Sequence, residues 1–447
     1  MSKQITIVGA GLVGSLLAAL LGKRGHQVHV YERRLDIRNA DISAGKSINM
    51  ACSARGWKAL DLVGAGDKVR EAAIAMKGRM MHGTDESLTF QPYGKEGEAI
   101  YSISRAGLNQ ILIDHADEYE NVNFYFEHKC VNIDLDTPVA SFELANGKTK
   151  YVESDLIFGT DGAFSAVRSV MQKLKHFNYS QEYISHDYKE LSIEAKNGDF
   201  QMDKHALHIW PRGSHMLIAL PNPDGSFTCT LFLPYEGENS FEKLNSESEI
   251  KTFFENKFPD ALKLIPNLID LFNENPTSPL VIIKCFPWTH NGKVALIGDA
   301  SHAIVPFYGQ GMNAGFEDVS ILNELLDEHG ENWSELFKAF ETSRKPDADA
   351  IADLALKNFI EMRDLVGQDW FLKRKKIERA LYETFPKDFI PQYSMVSFTH
   401  TPYSEAVRKG NQQDLILDAL ANHEDILDII DRGEFKSYVE ANHIIQN

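Results

Sequence analysis

Three glycines, Gly9, Gly11 and Gly14, follow the β-branched run Ile5-Thr6-Ile7-Val8 and open an apolar stretch over residues 15–21. At this spacing Gly9 permits a tight turn, Gly11 lets backbone N–H groups approach a pyrophosphate, and Gly14 lets a helix pack closely on a strand. The N-terminus of that helix then faces an anion. Glu32 ends the next strand-like run, Gln27-Val28-His29-Val30-Tyr31, where a carboxylate can accept a ribose hydroxyl. The pattern predicts dinucleotide binding without separating FAD from NAD. Two further glycine turns follow strand-like runs: Gly159-Thr160-Asp161-Gly162-Ala163-Phe164-Ser165-Ala166-Val167-Arg168, and Gly298-Asp299-Ala300-Ser301-His302 after Leu296-Ile297. Taken singly, each is as readily a strand-end turn as a ligand site.

The elements that position these turns read as a discontinuous domain. The first strand, glycine turn, helix and second strand close a βαβ unit. Asn123 to Phe126, Leu156-Ile157-Phe158 and Val294-Ala295-Leu296-Ile297 are further parallel-strand candidates. Leu207 to Pro211, Met216 to Leu220 and Phe227 to Leu233, separated by turns such as Pro223-Asp224-Gly225, predict an antiparallel sheet. From about residue 312 the pattern is helical, with Trp333, Phe337 and Phe340 on one stripe and Asn332 with Glu335 as a capping pair. The expected fold is α/β. A Rossmann-like dinucleotide-binding domain (residues 1–70, 101–180 and 285–330) joins an antiparallel-sheet domain (71–100 and 181–284) and a C-terminal helical region (331–447). Gly64-Ala65-Gly66 lies between helical segments and reads as a loop.

Composition narrows the function classes. With 447 residues, 43% hydrophobic and 25% charged, the chain affords a large core and several domains, which excludes a disordered chain. The 46 basic residues against 64 acidic ones give −18, a field that repels a phosphate backbone. The longest basic run, Lys373-Arg374-Lys375-Lys376, reads as a solvated helix face rather than a nucleic-acid patch. Cys52, Cys130, Cys229 and Cys285 show no CxxC spacing, which argues against a zinc site and a disulfide framework and for a reducing compartment. No leader, membrane span or C-terminal anchor is read, so a soluble cytoplasmic protein is expected. Oligomeric state is not legible.

Together the three glycine turns resemble the three-part pattern of the FAD-dependent aromatic hydroxylases. In that pattern Asp299 accepts a ribityl hydroxyl, and Gly309-Gln310-Gly311-Met312-Asn313-Ala314-Gly315 opens a helix toward the flavin pyrimidine edge. Within the family the chain resembles the kynurenine-hydroxylating branch over nearly its whole length. That resemblance is carried by Lys77-Gly78-Arg79-Met80-Met81-His82, Gln91-Pro92-Tyr93-Gly94, His208-Ile209-Trp210-Pro211-Arg212, Val305-Pro306-Phe307-Tyr308 and Asn358-Phe359-Ile360-Glu361-Met362-Arg363.

The resemblance implies an NADPH-dependent monooxygenase that places one atom of O2 on the ring of L-kynurenine by way of a flavin C4a-hydroperoxide. It assigns no catalytic side chain. It implies substrate binding by Arg79, Tyr93, Asn358 and Tyr393, whose types suit a carboxylate grip supplemented by phenol and amide hydrogen bonds. It implies FAD contacts at Val13, Tyr31, Glu32, Arg33, Arg34, Ala51, Arg105, Cys130, Ala166, Asp299, Met312 and Asn313, beside the turn glycines. Cys130 departs from the family, where leucine can stand; a backbone contact survives the change. His302 reads as structural. Phe232, Pro306, Phe307 and Tyr308 are expected to keep water from the reaction. No second glycine fingerprint marks an NADPH site. A hydroxylase of another aromatic amine or acid, and a non-catalytic flavin-binding protein, remain the alternatives.

Overall fold

The computed structural model describes residues 2–39, 48–361 and 368–445. Met362 and Arg363 of the helical block quoted above lie outside them. Five short strands without charged interior residues build a parallel sheet in the order Val294–Leu296, Leu156–Gly159, Gln4–Val8, Gln27–Tyr31, Val122–Tyr125, with Thr289–His290 added antiparallel at one edge. Such strands are covered on both faces, and Ile5, Ile7, Val28 and Val30 are fully buried. The glycine-opened helix Leu12–Lys23 packs between helices Arg105–Asp117 and Gly311–His329.

A seven-stranded sheet runs Thr277–Phe286, Asn178–Ile193, Phe227–Pro234, Met216–Pro221, Ala206–Pro211, Gly78–His82, Leu88–Pro92. It is antiparallel except where Ala206–Pro211 meets Gly78–His82 in parallel. Cross-strand partners share a face, so the register Glu190↔Thr230↔Ile218↔Ile209↔Met81 puts these five residues in one row. Arg79, opposite Leu207, lies on that face too. The other face, with Leu191, Leu217 and Leu231, is sealed by helices Glu247–Lys257, Pro259–Leu262 and Leu268–Glu274. The Glu190 face is therefore left for the parallel-sheet domain and the C-terminal helices, and the site lies between them. A small sheet of Ile74–Met76, Ile100–Ser104 and Asn49–Cys52 bridges the two large ones.

After residue 332 the described chain is helical, from Trp333–Ile360 to Phe435–Ala441. Asn332 caps the first of these helices by accepting from the Glu335 N–H at 3.4 Å, the spacing read from sequence. The basic run is half-exposed, as a solvated face would be, but it is also ion-paired. Arg374 pairs with Asp414 and Asp418, Lys376 with Asp431 at 2.8 Å, and Lys375 turns inward to Glu378 at 3.0 Å and Glu361 at 3.7 Å. Acidic neighbouring helices, absent from any local window, recruit the run. No helix among the described residues is long and apolar enough to cross a membrane.

Candidate active site

The first glycine turn has the geometry its spacing requires. Gly9 has φ +104°, and a Cβ there would stand 2.7 Å from the Thr160 carbonyl oxygen. A Cβ on Gly14 would meet the Gly9 oxygen at 2.0 Å. At Gly11, by contrast, no protein atom lies within 4 Å of where a Cβ would sit, so the start of the helix opens onto a cradle that a side chain would fill. Thr160, from the second motif, clamps the turn by donating to the Val8 and Gly9 carbonyls at 3.0 and 2.9 Å.

Glu32 accepts from the Ala10 N–H at 3.0 Å and from Arg34 Nε at 2.8 Å. Burial opposes its charge, but Arg34 and the two backbone amides outweigh burial and hold the carboxylate below its ordinary range. Glu32, Arg33 and Arg34 line a cavity of about 680 Å³ beside Ala10 and Asn109. Tyr31 does not. Its ring is sandwiched between Tyr125 and Phe142 at 4.7 and 4.2 Å, and its carbonyl accepts from the Gly9 N–H, so it positions the turn rather than facing a ligand.

The second motif is largely a bolt. Asp161 accepts from Ser165 Oγ at 2.5 Å and the Ala166 N–H at 2.7 Å, while Arg168 donates to the Ala300 carbonyl of the third motif at 2.8 Å. The Ala166 amide is thus committed to the protein. Cys130 is buried, and desolvation pushes its thiol up to about 12, so it is present as the inert thiol.

The third motif supplies the open carboxyl. Asp299 lies deep between domains yet keeps an exposed side chain, because it faces an interior space. Burial raises its pKa, with His302 and Arg105 pulling the other way. Val13 is gripped between Gly298 and Gly315, where a Cβ on Gly315 would approach it to 2.6 Å. Asn313 spends its side chain on the Ala51 and Gly309 carbonyls at 2.8 and 2.9 Å and on the Ser53 N–H at 2.9 Å. In helix Gly311–His329 the Ala314 N–H bonds the Gln310 carbonyl, so the amides of Gly311, Met312 and Asn313 before it are those a helix start leaves for a ligand. His302 is structural: its Nε2 lies 2.6 Å from Asp318, which also binds Arg344. The open cradle at Gly11, the Asp299 carboxyl and the helix start suit the pyrophosphate, ribityl chain and flavin ring of FAD in that order.

Below the Gly309 turn the Glu190 face of the sheet carries the second constellation. Tyr93 and Tyr393 stack at 5.3 Å, with the Arg79 guanidinium 5.5 and 5.2 Å from their ring centres. Arg79 Nε and the Tyr93 hydroxyl are buried without a well-formed hydrogen bond. Burial raises the pKa of both tyrosines, which keeps them neutral hydroxyl donors. Asn358 donates to the Phe307 carbonyl at 2.6 Å, and Tyr308 stacks on Tyr393 at 5.4 Å. Phe307 stacks on Phe359 at 4.0 Å and meets Phe232 at 4.9 Å, which closes an apolar wall beside the clamp. Arg79, Tyr93 and Tyr393 of the four residues named from resemblance therefore meet, and Asn358 is linked to them through the Phe307–Tyr308 turn. Sequence reading missed the inward turn of Lys375 to Glu361, the Glu190–Thr230 pair and the contact of Tyr403 with Gln310, all long-range pairings with no local signature.

The pattern of the family described as FAD binding domain matches residues 2–355. Kynurenine 3-monooxygenase of Flavobacterium psychrophilum is 53% identical over 427 residues, 95% of each chain. That of Flavobacterium johnsoniae is 52% identical over 98% of each. The chain belongs to the kynurenine 3-monooxygenase family. Kynurenine 3-monooxygenase of Dictyostelium discoideum, 45% identical across 95% of this chain and 94% of its own, shows that the likeness extends beyond bacteria. Among solved structures, the tetrameric form of 2-methyl-3-hydroxypyridine-5-carboxylic acid oxygenase superposes with a TM-score of 0.68 over 83% of this chain and 95% of its own. At 20% identity it speaks for the shared fold.

Proposed function

We propose that this kynurenine 3-monooxygenase family member hydroxylates L-kynurenine to 3-hydroxy-L-kynurenine with FAD, NADPH and O2, in tryptophan catabolism and the supply of quinolinate for NAD. The observation that carries the reading is the buried meeting of Arg79 with the stacked Tyr93 and Tyr393 beside an aromatic wall, with no well-formed hydrogen bond at Arg79 Nε or the Tyr93 hydroxyl. A buried polar group without a partner costs about 1–3 kcal/mol, and a bound carboxylate removes that cost.

The residues that would hold FAD are Gly11 and the helix start behind it, Glu32 to Arg34, Arg105, Asp299, and the amides at Met312 and Asn313. When bound, FAD supplies hydride acceptance from NADPH and activation of O2. The chain's own residues bind, orient and exclude water. Arg79 takes the substrate carboxylate through its planar fork, with Tyr93 and Tyr393 donating beside it. Asn358 holds the Phe307 carbonyl and so fixes the Gly309 turn against the ring of the substrate. Phe232, Phe307 and Phe359 keep the reacting face dry. The ring amino group activates the position hydroxylated, so no side-chain base is required.

The same reading assigns residues 1–70, 101–180 and 285–330 to the cofactor, 71–100 and 181–284 to the substrate sheet, and 331–447 to a C-terminal helical region. It puts the protein in the cytoplasm, which four buried, free cysteines support.

NADPH oxidation by FAD-loaded protein, with and without L-kynurenine and with mass spectrometry of the product, tests the proposal. A kynurenine-dependent rate and a product heavier by one oxygen are expected. Oxidation that yields peroxide alone, or no response, would return the substrate to other aromatic amines and acids.

A further inference from the structure

Glu190 is buried on the site face of the seven-stranded sheet, in one row with Thr230, Ile218, Ile209 and Met81 and on the same face as Arg79. Its carboxyl contacts Thr230 Oγ1 at 3.2 Å through both oxygens, and its carbonyl takes the Asn275 amide at 2.8 Å. The titratable groups near it are Tyr188 on its own strand and face, Cys229 across the ladder but on the opposite face and, beyond Tyr188, Arg105. The ammonium of the adjoining Lys189 points through the sheet to the Phe272 and Asn275 carbonyls at 2.9 and 2.5 Å. No cation therefore balances the carboxyl within hydrogen-bonding distance among the described residues.

A protonated carboxyl with one neighbour must send its O–H to that neighbour, which leaves the threonine proton for the pocket. An ionised carboxyl takes the threonine proton, which leaves only lone pairs. We propose that Glu190 is a positioning residue that sets the hydrogen-bonding polarity of Thr230: in its neutral form it makes Thr230 a donor to the ketone oxygen of the substrate. The ketone is the one good acceptor at the aromatic end of L-kynurenine, and this inference rests on the kynurenine reading. Burial raises Glu190 to about 8, so the neutral form prevails at neutral pH.

The test uses the FAD-loaded enzyme and two readouts. Infrared difference spectra between about pH 6 and about pH 10 report whether a protonated carboxyl is lost on raising the pH and whether Glu190→Gln abolishes that signal. L-Kynurenine titrations, followed by the flavin absorbance, report affinity. The wild type is expected to lose about five- to tenfold in affinity as Glu190 ionises. Glu190→Gln, whose amide N–H replaces the acid proton, is expected to keep neutral-pH affinity at high pH. Thr230→Val is expected to be weak and flat throughout. No Glu190 infrared signal, or the same pH profile in Glu190→Gln as in wild type, would overturn the inference. A wild type with the infrared signal but no kynurenine response at any pH would overturn the kynurenine reading, and the polarity role with it.

Discussion

The Tyr403 hydroxyl donates to Gln310 Oε1 at 2.9 Å, and so ties helix Tyr403–Ala421 to the residue that begins the site helix. Both are buried. The Tyr403 ring lies 3.9 Å from the Arg55 guanidinium, which pairs with Glu317 nearly two turns into the site helix. Arg344 completes the knot by binding Glu317 and Asp318 at 2.8 Å each. The C-terminal helices thus grip the start of helix Gly311–His329.

Tyr403→Phe keeps the ring over Arg55 and removes one hydroxyl, leaving Gln310 Oε1 buried without its partner. A loss of about 1–3 kcal/mol is expected, read as a Tm lowered by a few degrees. Because Gln310 precedes the amides of Gly311 to Asn313, the visible spectrum and midpoint potential of bound FAD should shift as well. A Tm change with an unmoved potential would reduce Tyr403 to packing.

Arg79→Lys retains the charge and discards the planar fork. FAD content and the flavin spectrum should match wild type, because Arg79 stands on the substrate sheet, outside the cradle. Affinity for L-kynurenine should fall by about 10–100-fold, the equivalent of roughly 1.5–3 kcal/mol for a charged hydrogen-bonding group. Flavin difference titration measures it.

Gly11→Ala and Gly14→Ala separate cofactor binding from folding. At Gly14 a methyl collides with the Gly9 oxygen at 2.0 Å, so the turn must deform and both Tm and FAD content should drop. At Gly11 the methyl meets no protein atom within 4 Å, so the Tm of the apoprotein should match wild type while FAD affinity falls. Equal FAD affinity in Gly11→Ala would contradict the cradle.

Phe232→Ala opens the wall where Phe232 meets Phe307 at 4.9 Å. Water gains the reacting face, and the fraction of NADPH ending as hydrogen peroxide should rise several-fold, measured as peroxide per NADPH. Unchanged coupling would assign water exclusion to Phe307 and Phe359 alone.

What was legible in the sequence follows from range. The parallel strands, the glycine turn and the Asn332 cap are local patterns whose physics acts within a few residues, and they stand where the spacing put them. The clamp could be named only through resemblance. Arg79, Tyr93 and Tyr393 are brought together by sheet register and helix docking across some 300 residues, and taken singly each looks like an ordinary surface or packing residue. The ion pairs of the Lys373 to Lys376 run were illegible for the same reason, since its partners Asp414, Asp418 and Asp431 lie on helices a local window does not contain.

Glu190 also makes stability depend on pH. In the unfolded chain it ionises near its ordinary 4.5, whereas in the folded protein burial keeps the proton until about 8. Between those values the folded state binds more protons, so raising the pH favours unfolding; the contribution is fully present below the lower value and lost as pH passes the upper one. Glu190→Gln cannot ionise. The Tm difference between variant and wild type should therefore move in favour of the variant from about pH 5 to about pH 8 and then level off, by the equivalent of a few kcal/mol. Thermal melts across that range measure it, and a pH-independent difference would mean that Glu190 is already ionised at neutral pH.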